Sequence, residues 1–180
     1  MRFIYQSIEL RGFESGDYRL LQKWLNQQEI GEYLGIEEEQ SLEQVKTLYP
    51  ANKWKSPFMI VHDSIKVGFI HLLGFTENQN IRHQLAPDAR TLSFDIAIGE
   101  MKAQSKGIGQ LALASLVQMV QQYYRDDFLV LDTLPWNLKA IRCFEKSGFT
   151  QWAVLKNHEF RKGSWVDNVL FGMDLRKNPV

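Results

Sequence analysis

The alternation of apolar and polar side chains in the opening part of the chain predicts one strand followed by two helices. Residues 3–13 alternate in the manner of a half-buried strand. Apolar side chains then recur at helical spacing over 20–25, and the sequence Ser-Leu-Glu-Gln at 41–44 has the form of a capping box that opens a second short helix. Residues 26–35, between the two helices, are expected to leave the first helix.

The middle of the chain predicts a pair of strands and then a long connection. The apolar runs at 58–61 and 65–73 are typical of antiparallel strands, and residues 62–64 form the tight turn that would join them. Residues 74–90 are polar, contain a proline and show no apolar periodicity. We therefore expect a long excursion there, on the substrate side or at a dimer interface.

The second half alternates strand and helix patterns. Residues 91–98 predict a buried strand, and apolar residues over 108–123 mark the core face of a long helix. The continuous apolar run 128–131 is typical of a strand buried on both faces. Asn137 is suited to cap a further helix through Lys146, and Gly148 is suited to end it in a left-handed conformation.

Two closing strands complete the pattern, at 149–156 and 165–175, with 157–164 between them. No internal repeat or interdomain linker interrupts the order of elements. The sequence therefore predicts one α/β (α+β) domain over residues 1–180, with a mixed, mostly antiparallel central sheet of about six to seven strands and helices on both faces.

Composition and charge exclude several function classes. Hydrophobic residues make up 44% and charged residues 23% of the chain, as in an ordinary globular protein. Basic and acidic residues number 21 each, so no net charge attracts nucleic acid or an anionic membrane. A single cysteine, Cys143, excludes an intramolecular disulfide. No apolar run resembles a signal peptide or membrane span, and we expect a cytoplasmic protein.

The loop Gln104-Ser105-Lys106-Gly107-Ile108-Gly109 lies between the predicted strand 91–98 and the long helix. Glycines allow close backbone approach to a ligand, and the first N–H groups of a helix lack intrahelical acceptors. Together with the helix dipole, such a loop favours an anion, for example a pyrophosphate. The alternative is a flexible turn before a helix, and these residues alone do not decide between the two.

A second motif, Asn-Leu-Lys-Ala-Ile-Arg-Cys-Phe-Glu-Lys-Ser-Gly-Phe at 137–149, changes this picture. With the glycine loop it resembles the Gcn5-related N-acetyltransferase (GNAT) family, whose members pair a Gln/Arg-x-x-Gly-x-Gly/Ala loop with a later Asn-x-x-Ala-x-x-x-Tyr/Phe-x-Lys-x-Gly-Phe helix. Within that family the second motif, the sequence Trp-Leu-Asn at 24–26 and the position of Asp95 look most like aminoglycoside 6′-N-acetyltransferases.

The resemblance implies that acetyl-coenzyme A is the co-substrate. The strand 94–98 would pair through its backbone with the pantetheine arm, and a bulge near 98–100 would open the cleft and offer an N–H to the thioester carbonyl. The loop would hold the pyrophosphate, and Asn137 would bind the cofactor's arm. The implied cofactor-binding residues are Ile96, Ala97, Ile98, Gln104, Ser105, Lys106, Gly107, Ile108, Gly109, Gln110, Asn137 and Phe144.

Asp95 is the candidate proton acceptor, because an amine that attacks a thioester must lose a proton to a nearby group. It is a carboxylate on an otherwise apolar strand, where burial would raise its pKa. The alternative is an aspartate that faces solvent or pairs with a basic residue.

Phe144 departs from the family pattern, since many members carry a tyrosine there that is assigned to protonating the leaving thiolate. Phe144 is expected to pack beside the cofactor sulfur instead. No histidine neighbours Cys143 in sequence, so a cysteine nucleophile is not expected.

The resemblance also suggests where an acceptor would bind. Glu29 and Glu32 fall where family members place acceptor-side helices and would attract a polycationic amine, although a solvated helical face is the simpler interpretation. Trp136 is a candidate to line the cleft. The histidines at 62, 71, 83 and 158 show no metal-ligand spacing, so no metal is expected.

The predicted function is acetyl transfer from acetyl-coenzyme A to a primary amine, with an aminoglycoside-like or polyamine acceptor. One alternative acceptor is a protein N-terminus or lysine. A second alternative, suggested by Phe144, is a non-catalytic domain that binds acyl-coenzyme A. The sequence leaves open whether the protein forms a homodimer.

Overall fold

In a computed structural model, the chain is described over residues 1–50 and 55–177. It divides into two compact units. The first unit comprises Met1–Leu73 and Asp95–Leu116, and the second comprises Gly74–Phe94 and the chain from Val117 onward. The prediction of a single domain stays a prediction. Among the described residues, no helix is both long enough and apolar enough to cross a membrane.

The described residues contain eight strands, so the expected number of about six to seven is wrong. The strands are β1 (Arg2–Tyr5), β2 (Ile8–Gly12), β3 (Lys55–His62), β4 (Ile65–Gly74), β5 (Thr91–Ile98), β6 (Phe128–Thr133), β7 (Thr150–Arg161) and β8 (Ser164–Asp174). The additional strand comes from the predicted opening strand 3–13, which is a hairpin. Gln6 adopts a positive φ of 52° at its turn, and Tyr5 pairs with Ile8.

Within the described ranges, six α-helices accompany the strands: α1 (Tyr18–Leu25), α2 (Gln28–Tyr33), α3 (Leu42–Leu48), α4 (Glu77–Arg82), α5 (Ile108–Tyr123) and α6 (Leu138–Lys146). Helix α1 ends at Leu25, as expected for a chain that leaves the first helix over 26–35, and the separate short helix α2 within that segment is one that the apolar pattern does not predict. Helix α2 carries one strong apolar anchor, Ile30, which is buried in the core of the first unit. Helix α4 lies in the predicted excursion 74–90 and begins with a capping box between Thr76 and Gln79.

The first unit contains β1, β2, β3 and β4 in sequence order, each antiparallel to the next. Its core is built around Trp24, whose side chain is fully buried with Leu21, Val45 and Phe69. Gly68 of β4 lies against the backbone of β5, where an added Cβ would come within 2.2 Å of the Ala97 carbonyl oxygen. The absence of a side chain at Gly68 therefore allows β4 and the end of β5 to approach closely.

In the second unit, the opening residues of β5 run parallel to β6, and β6, β8 and β7 are antiparallel in that order. Strand β7 extends to Arg161, and its register with β8 places Phe160 opposite Trp165. The expected loop at 157–164 is therefore wrong, because pairing with β8 continues up to a short turn at Lys162 and Gly163, both with positive φ.

Candidate active site

The exposed part of β5 presents one carboxylate, Asp95, beside a buried histidine. The Asp95 side chain is 40% exposed, and its Oδ2 lies 3.7 Å from Nδ1 of His71 on β4. His71 is 2% exposed, and its Nε2 is buried without a hydrogen-bond partner among the described residues. The expected burial of Asp95 is only partial. A carboxylate that meets both solvent and an imidazole can exchange a proton with a bound molecule.

His71 is held in turn by Tyr49, at the end of α3. The two ring centroids are 4.8 Å apart, and the Tyr49 ring packs edge-on against Phe69. Burial, and then the negative charge of Asp95, raise the pKa of the Tyr49 phenol. Tyr49 therefore stays protonated and neutral, and its ring fixes one face of the imidazole.

The segment that follows β5 is fixed by hydrogen bonds from α1 and α2. The Trp24 indole N–H donates to Glu100 Oε1 at 3.0 Å, and the Gln27 side-chain amide donates to the Gly99 carbonyl at 3.1 Å. A Cβ on Gly99 would come within 2.1 Å of the Trp24 ring. Gly99 is therefore required for this packing, which sets where β5 ends.

The glycine loop is connected directly to the end of β5. After a 3-10 turn at Met101–Ala103, the Gln104 side-chain amide donates to the Ile98 carbonyl at 2.9 Å. Ser105 and Gly107 both have positive φ, of 59° and 80°, and α5 begins at Ile108. The predicted strand–loop–helix arrangement is therefore present, with Ser105 as an additional left-handed residue.

The surface of this loop suits an anion. Ser105, Lys106 and Gly107 are exposed, so an ammonium group and backbone are open to solvent immediately before α5. The first N–H groups of α5, from Ile108 through Gln110, lack intrahelical acceptors and carry the positive end of the helix dipole. The arrangement can hold phosphate oxygens through backbone N–H groups and one positive side chain.

In the second unit, Asn137 is the cap of α6. It is 8% exposed, its Oδ1 accepts from the Ala140 N–H at 3.3 Å, and its Nδ2 donates to Thr133 Oγ1 at 3.2 Å. The prediction that Asn137 caps this helix is confirmed. Because an amide oxygen and an amide nitrogen each have a second hydrogen-bonding site, these contacts leave Asn137 able to bind a further group.

Phe144 is buried at 4% exposure, in an aromatic cluster of the second unit. Its ring centroid is 5.9 Å from that of Phe171 and 6.5 Å from that of Phe149. Trp136 is 51% exposed beside the Asn137 cap. Burial raises the pKa of the Cys143 thiol against smaller opposing effects of Ser147 and Lys146. A raised pKa disfavours the thiolate, which is the reactive form of a cysteine.

The acidic acceptor candidates lie on α2. Glu29 and Glu32 are both exposed there. The hydrogen bond from Gln27 to Gly99 anchors the start of this helix at the segment after β5. The helix that sequence patterning missed is therefore the element that carries these carboxylates, and the residue before it is bonded to the segment after β5.

His71 is the residue that sequence reasoning missed. The strand 65–73 was predicted, and a histidine within a buried strand is a usable signal. Its proximity to Asp95, however, depends on the pairing of β4 with β5, because the two residues are far apart in the chain. No local pattern contains that information.

Comparison with known proteins agrees with this architecture. An acetyltransferase (GNAT) domain model matches residues 14–156. Aminoglycoside N(6′)-acetyltransferase type 1 of Klebsiella pneumoniae is 26% identical over 148 residues, which cover 79% of this chain and 74% of that protein. Among solved structures, spermidine N-acetyltransferase from Vibrio cholerae in complex with CoA and spermine superposes with a TM-score of 0.80 at 20% identity, covering 95% of this chain and 97% of that one.

A further solved structure is that of AAC(6′)-Ib in complex with ribostamycin and coenzyme A. It superposes with a TM-score of 0.73 at 21% identity, and covers 94% of each chain. At these identities the structural matches establish the fold. The family match covers most of the sequence and includes both motifs, and on that ground this chain belongs to the GNAT family of acetyltransferases.

Proposed function

We propose that this enzyme transfers the acetyl group of acetyl-coenzyme A directly to a primary amine of a small cationic molecule, aminoglycoside-like or polyamine. One observation carries the proposal. A partly exposed carboxylate, Asp95, lies on the strand whose end is hydrogen-bonded to an exposed glycine loop at the start of a long helix. Such an arrangement offers an anion site and a proton acceptor on one continuous segment.

The cofactor would be held by residues of both motifs. Backbone groups of Ile96, Ala97 and Ile98 would pair with the pantetheine arm, and the loop would bind the pyrophosphate. Asn137 would contribute a hydrogen bond from the start of α6. Family members bind coenzyme A, as the named complexes of two relatives state.

The chemical step needs few groups. The amine nitrogen attacks the thioester carbonyl carbon, so that a C–N bond forms and the C–S bond breaks. The amine enters as an ammonium and must lose one proton before it can attack, and a second proton as the amide forms. Asp95 accepts the proton and passes it to solvent, to which its side chain is open. Correct positioning of two substrates supplies several kcal/mol by itself, roughly 7 to 11 in favourable model systems.

The oxyanion that develops on the thioester would be stabilised by a backbone N–H at the end of β5. The Glu100 N–H already donates to the Val67 carbonyl at 3.1 Å. Of the N–H groups at 98–100, we therefore exclude that of Glu100 and retain those of Ile98 and Gly99 as candidates. Gly99 is also the residue whose position Trp24 fixes by direct packing.

His71 would act as a positioning residue for Asp95. A separation of 3.7 Å is longer than a hydrogen bond, and a small side-chain rotation would bring Nδ1 to bonding distance. An imidazole N–H donated to Asp95 would orient the carboxylate toward the amine. Asp95 is the one charged residue of β5. The buried position of His71 and its ring contact with Tyr49 hold the imidazole beside that carboxylate.

Phe144 supplies no proton to the departing thiolate, because its side chain is a hydrocarbon. The thiolate of coenzyme A would take a proton from solvent after it leaves. The burial of Phe144 against Phe149 and Phe171 favours a packing role.

The acceptor would bind on the side of α2. Glu29 and Glu32 would attract the positive charges of a polyamine or aminoglycoside. The role of Trp136 as a cleft residue stays a prediction. The names of two similar proteins agree with this class, since one acts on aminoglycosides and the other on spermidine. We also propose that the enzyme works in the cytoplasm. Formation of a homodimer stays a separate prediction.

An acceptor screen tests the proposal. Free thiol released from acetyl-coenzyme A would be measured with aminoglycosides, polyamines and N-terminal peptides, with Asp95→Asn as the matched control. We expect release with at least one small cationic amine and much less in the variant. If thiol were released only with peptides, the enzyme would be assigned to protein acetylation instead. Saturable binding of acetyl-coenzyme A without release by any acceptor would support the non-catalytic alternative.

A further inference from the structure

Two histidines and an aspartate, widely separated in sequence, meet in the second unit. His83 follows α4, Asp132 lies in β6 and His158 lies in β7. One potential ligand atom from each residue lies within 4.8 Å of the other two, and His83 Nε2 is 3.4 Å from Asp132 Oδ1. Spacing along the chain gave no sign of a metal site, because only folding brings these three positions together.

The ring of His83 is held with one nitrogen directed to the cluster. Its Nδ1 lies 2.7 Å from the Gln79 carbonyl oxygen, which can only accept, so Nδ1 carries the proton. In the neutral imidazole, Nε2 then carries the lone pair, and it faces Asp132. A metal-binding histidine usually donates its other ring N–H to a carbonyl or carboxylate, and His83 meets that condition.

Asp132 is also held in place by a neighbour. The side-chain amide of Asn168, on β8, donates to Asp132 Oδ2. The other carboxylate oxygen, Oδ1, faces His83. Ligating carboxylates commonly accept such a hydrogen bond, which fixes the oxygen that remains for the metal.

The arrangement fits the ligand set of zinc. Ligand atoms bound to one tetrahedral zinc lie about 3.3 Å apart, since zinc–nitrogen and zinc–oxygen bonds are about 2.0 Å long. The His83–Asp132 pair already has this separation. The ring of His158, 4.9 Å from that of His83 between centroids, has to move by about 1.5 Å at most to complete the set.

We propose that His83, Asp132 and His158 bind one divalent cation of the zinc class, with water as the fourth ligand. Two imidazoles and a carboxylate are typical of zinc and related transition metals, whereas calcium and magnesium prefer oxygen ligands alone. The ion would connect the end of α4 to β6 and β7. The long connection 74–90 would thereby be attached to the sheet of the second unit.

Other charges near the cluster do not oppose the ion strongly. Arg82 acts on His158 with a positive charge, and Glu159 acts on it with a negative one. Asn168 lies between Asp132 and Glu159, 3.4 Å from Glu159 Oε2. Glu159 is itself paired with Arg161, at 2.9 Å between Oε1 and Nη2. The cation would therefore have two carboxylates and two guanidinium groups in its surroundings, with Asp132 as its direct ligand.

Metal titration of the full chain without a polyhistidine tag tests the proposal. Cobalt(II) would be added to metal-free protein, and its visible absorption band would report the coordination geometry. We expect one ion per chain, with the intense band of a four- or five-coordinate site. Zinc should displace cobalt and abolish the band.

Substitution of each ligand identifies the site. His83→Ala, His158→Ala and Asp132→Asn should each weaken binding by roughly a hundredfold or more, since each removes one of three protein ligands. His62→Ala is the matched control, because His62 also lies beside an aspartate, Asp63, but has no second histidine. If His62→Ala weakened cobalt binding as much as the three ligand variants do, the proposal would be overturned.

A second measurement covers the case in which a ligand variant folds poorly. Asn168→Ala keeps all three ligands and removes only the hydrogen bond to Asp132, so we expect roughly tenfold weaker cobalt binding. Zinc should also raise the melting temperature of the parent chain more than that of His83→Ala. Absence of saturable binding by the parent chain, or an equal zinc effect in both chains, would refute the site.

Discussion

Nδ1 of His71 and Oδ2 of Asp95 are 3.7 Å apart, across neighbouring strands of the first unit. One member of the pair is buried at 2% exposure and the other is open to solvent. This asymmetry gives the two residues different proposed roles. The exposed carboxylate can contact an incoming amine. The buried imidazole can affect the amine only through its contact with the carboxylate.

Asp95→Asn should lower turnover at least tenfold, because general-base catalysis typically contributes a factor of about a hundred or more. The affinity for acetyl-coenzyme A should change little, since the variant keeps the shape of the strand. Steady-state kinetics and calorimetric titration of the cofactor measure the two quantities. Asp63→Asn is the control, as Asp63 is an exposed carboxylate that also lies beside a histidine. Near-normal turnover in Asp95→Asn would remove it as the proton acceptor.

His71→Leu should lower kcat by roughly tenfold, because a misplaced catalytic group reacts slowly even when it is present. His71→Asn retains an N–H near the position of Nδ1 and should recover part of the loss. The dependence of kcat on pH separates the two roles of the residue, since a purely structural role would leave the profile unchanged. Equal losses in both variants, with an unaltered pH profile, would contradict a positioning role.

Gly107→Ala should weaken acetyl-coenzyme A binding. At a φ of 80° an alanine is strained by about 1 kcal/mol, although an added Cβ meets no atom within 4 Å. Gly163 offers a matched control, with a φ of 83° and similarly open surroundings in the turn between β7 and β8. Both variants should lose similar stability in thermal unfolding, and only Gly107→Ala should lose cofactor affinity. If the two variants bound acetyl-coenzyme A with equal affinity, the loop would not be the pyrophosphate site.

Asp17→Asn should destabilise the chain by about 3 kcal/mol at neutral pH, because Asp17 is 1% exposed and binds two cations. Arg11 Nη1 lies 3.0 Å from Asp17 Oδ2, and Lys66 Nζ lies 2.6 Å from Asp17 Oδ1. Burial opposes ionisation of Asp17, yet the hydrogen bonds from Arg11, Lys66 and the Glu14 N–H outweigh it and hold the pKa below the ordinary value of 3.8.

The sign of the pH dependence follows from that lowered pKa. The stabilisation by Asp17 is complete above the unfolded-state pKa near 3.8, and is lost as the pH falls through the lower folded-state pKa. Denaturant unfolding at several pH values should therefore show the difference between parent and Asp17→Asn shrinking in acid. Glu43→Gln, in an exposed pair with Lys46, should show little difference at any pH. A constant difference for Asp17→Asn would contradict the ionic origin.

Local signals in the sequence were sufficient for the elements around the glycine loop. The bounds of β5 were predicted as observed, and the Asn137 cap and the left-handed Gly148 at the end of α6 are confirmed. Each of these depends on apolar periodicity or on a single residue with a distinct backbone preference. The family resemblance was also carried by contiguous motifs. For this reason the family could be recognised before any contact was known.

The missed elements have different causes. Helix α2 is six residues long and is stabilised through the burial of Ile30, which a short periodic window does not reveal. Helix α4 did carry a readable signal, the capping box from Thr76 to Gln79, within a polar stretch. The continuation of β7 to Arg161 comes from pairing with β8, since the strand itself has little apolar alternation there.

The sequence by itself determined the family, the glycine loop before α5 and the carboxylate on β5. Only the tertiary structure decided the neighbours of that carboxylate, because His71 reaches Asp95 through the pairing of β4 and β5. The same holds for His83, Asp132 and His158, which come from a helix end and two strands. The physical reason is shared by both clusters. Strand register and side-chain direction are set by core packing across the whole sheet, and residues far apart in sequence carry no local record of it.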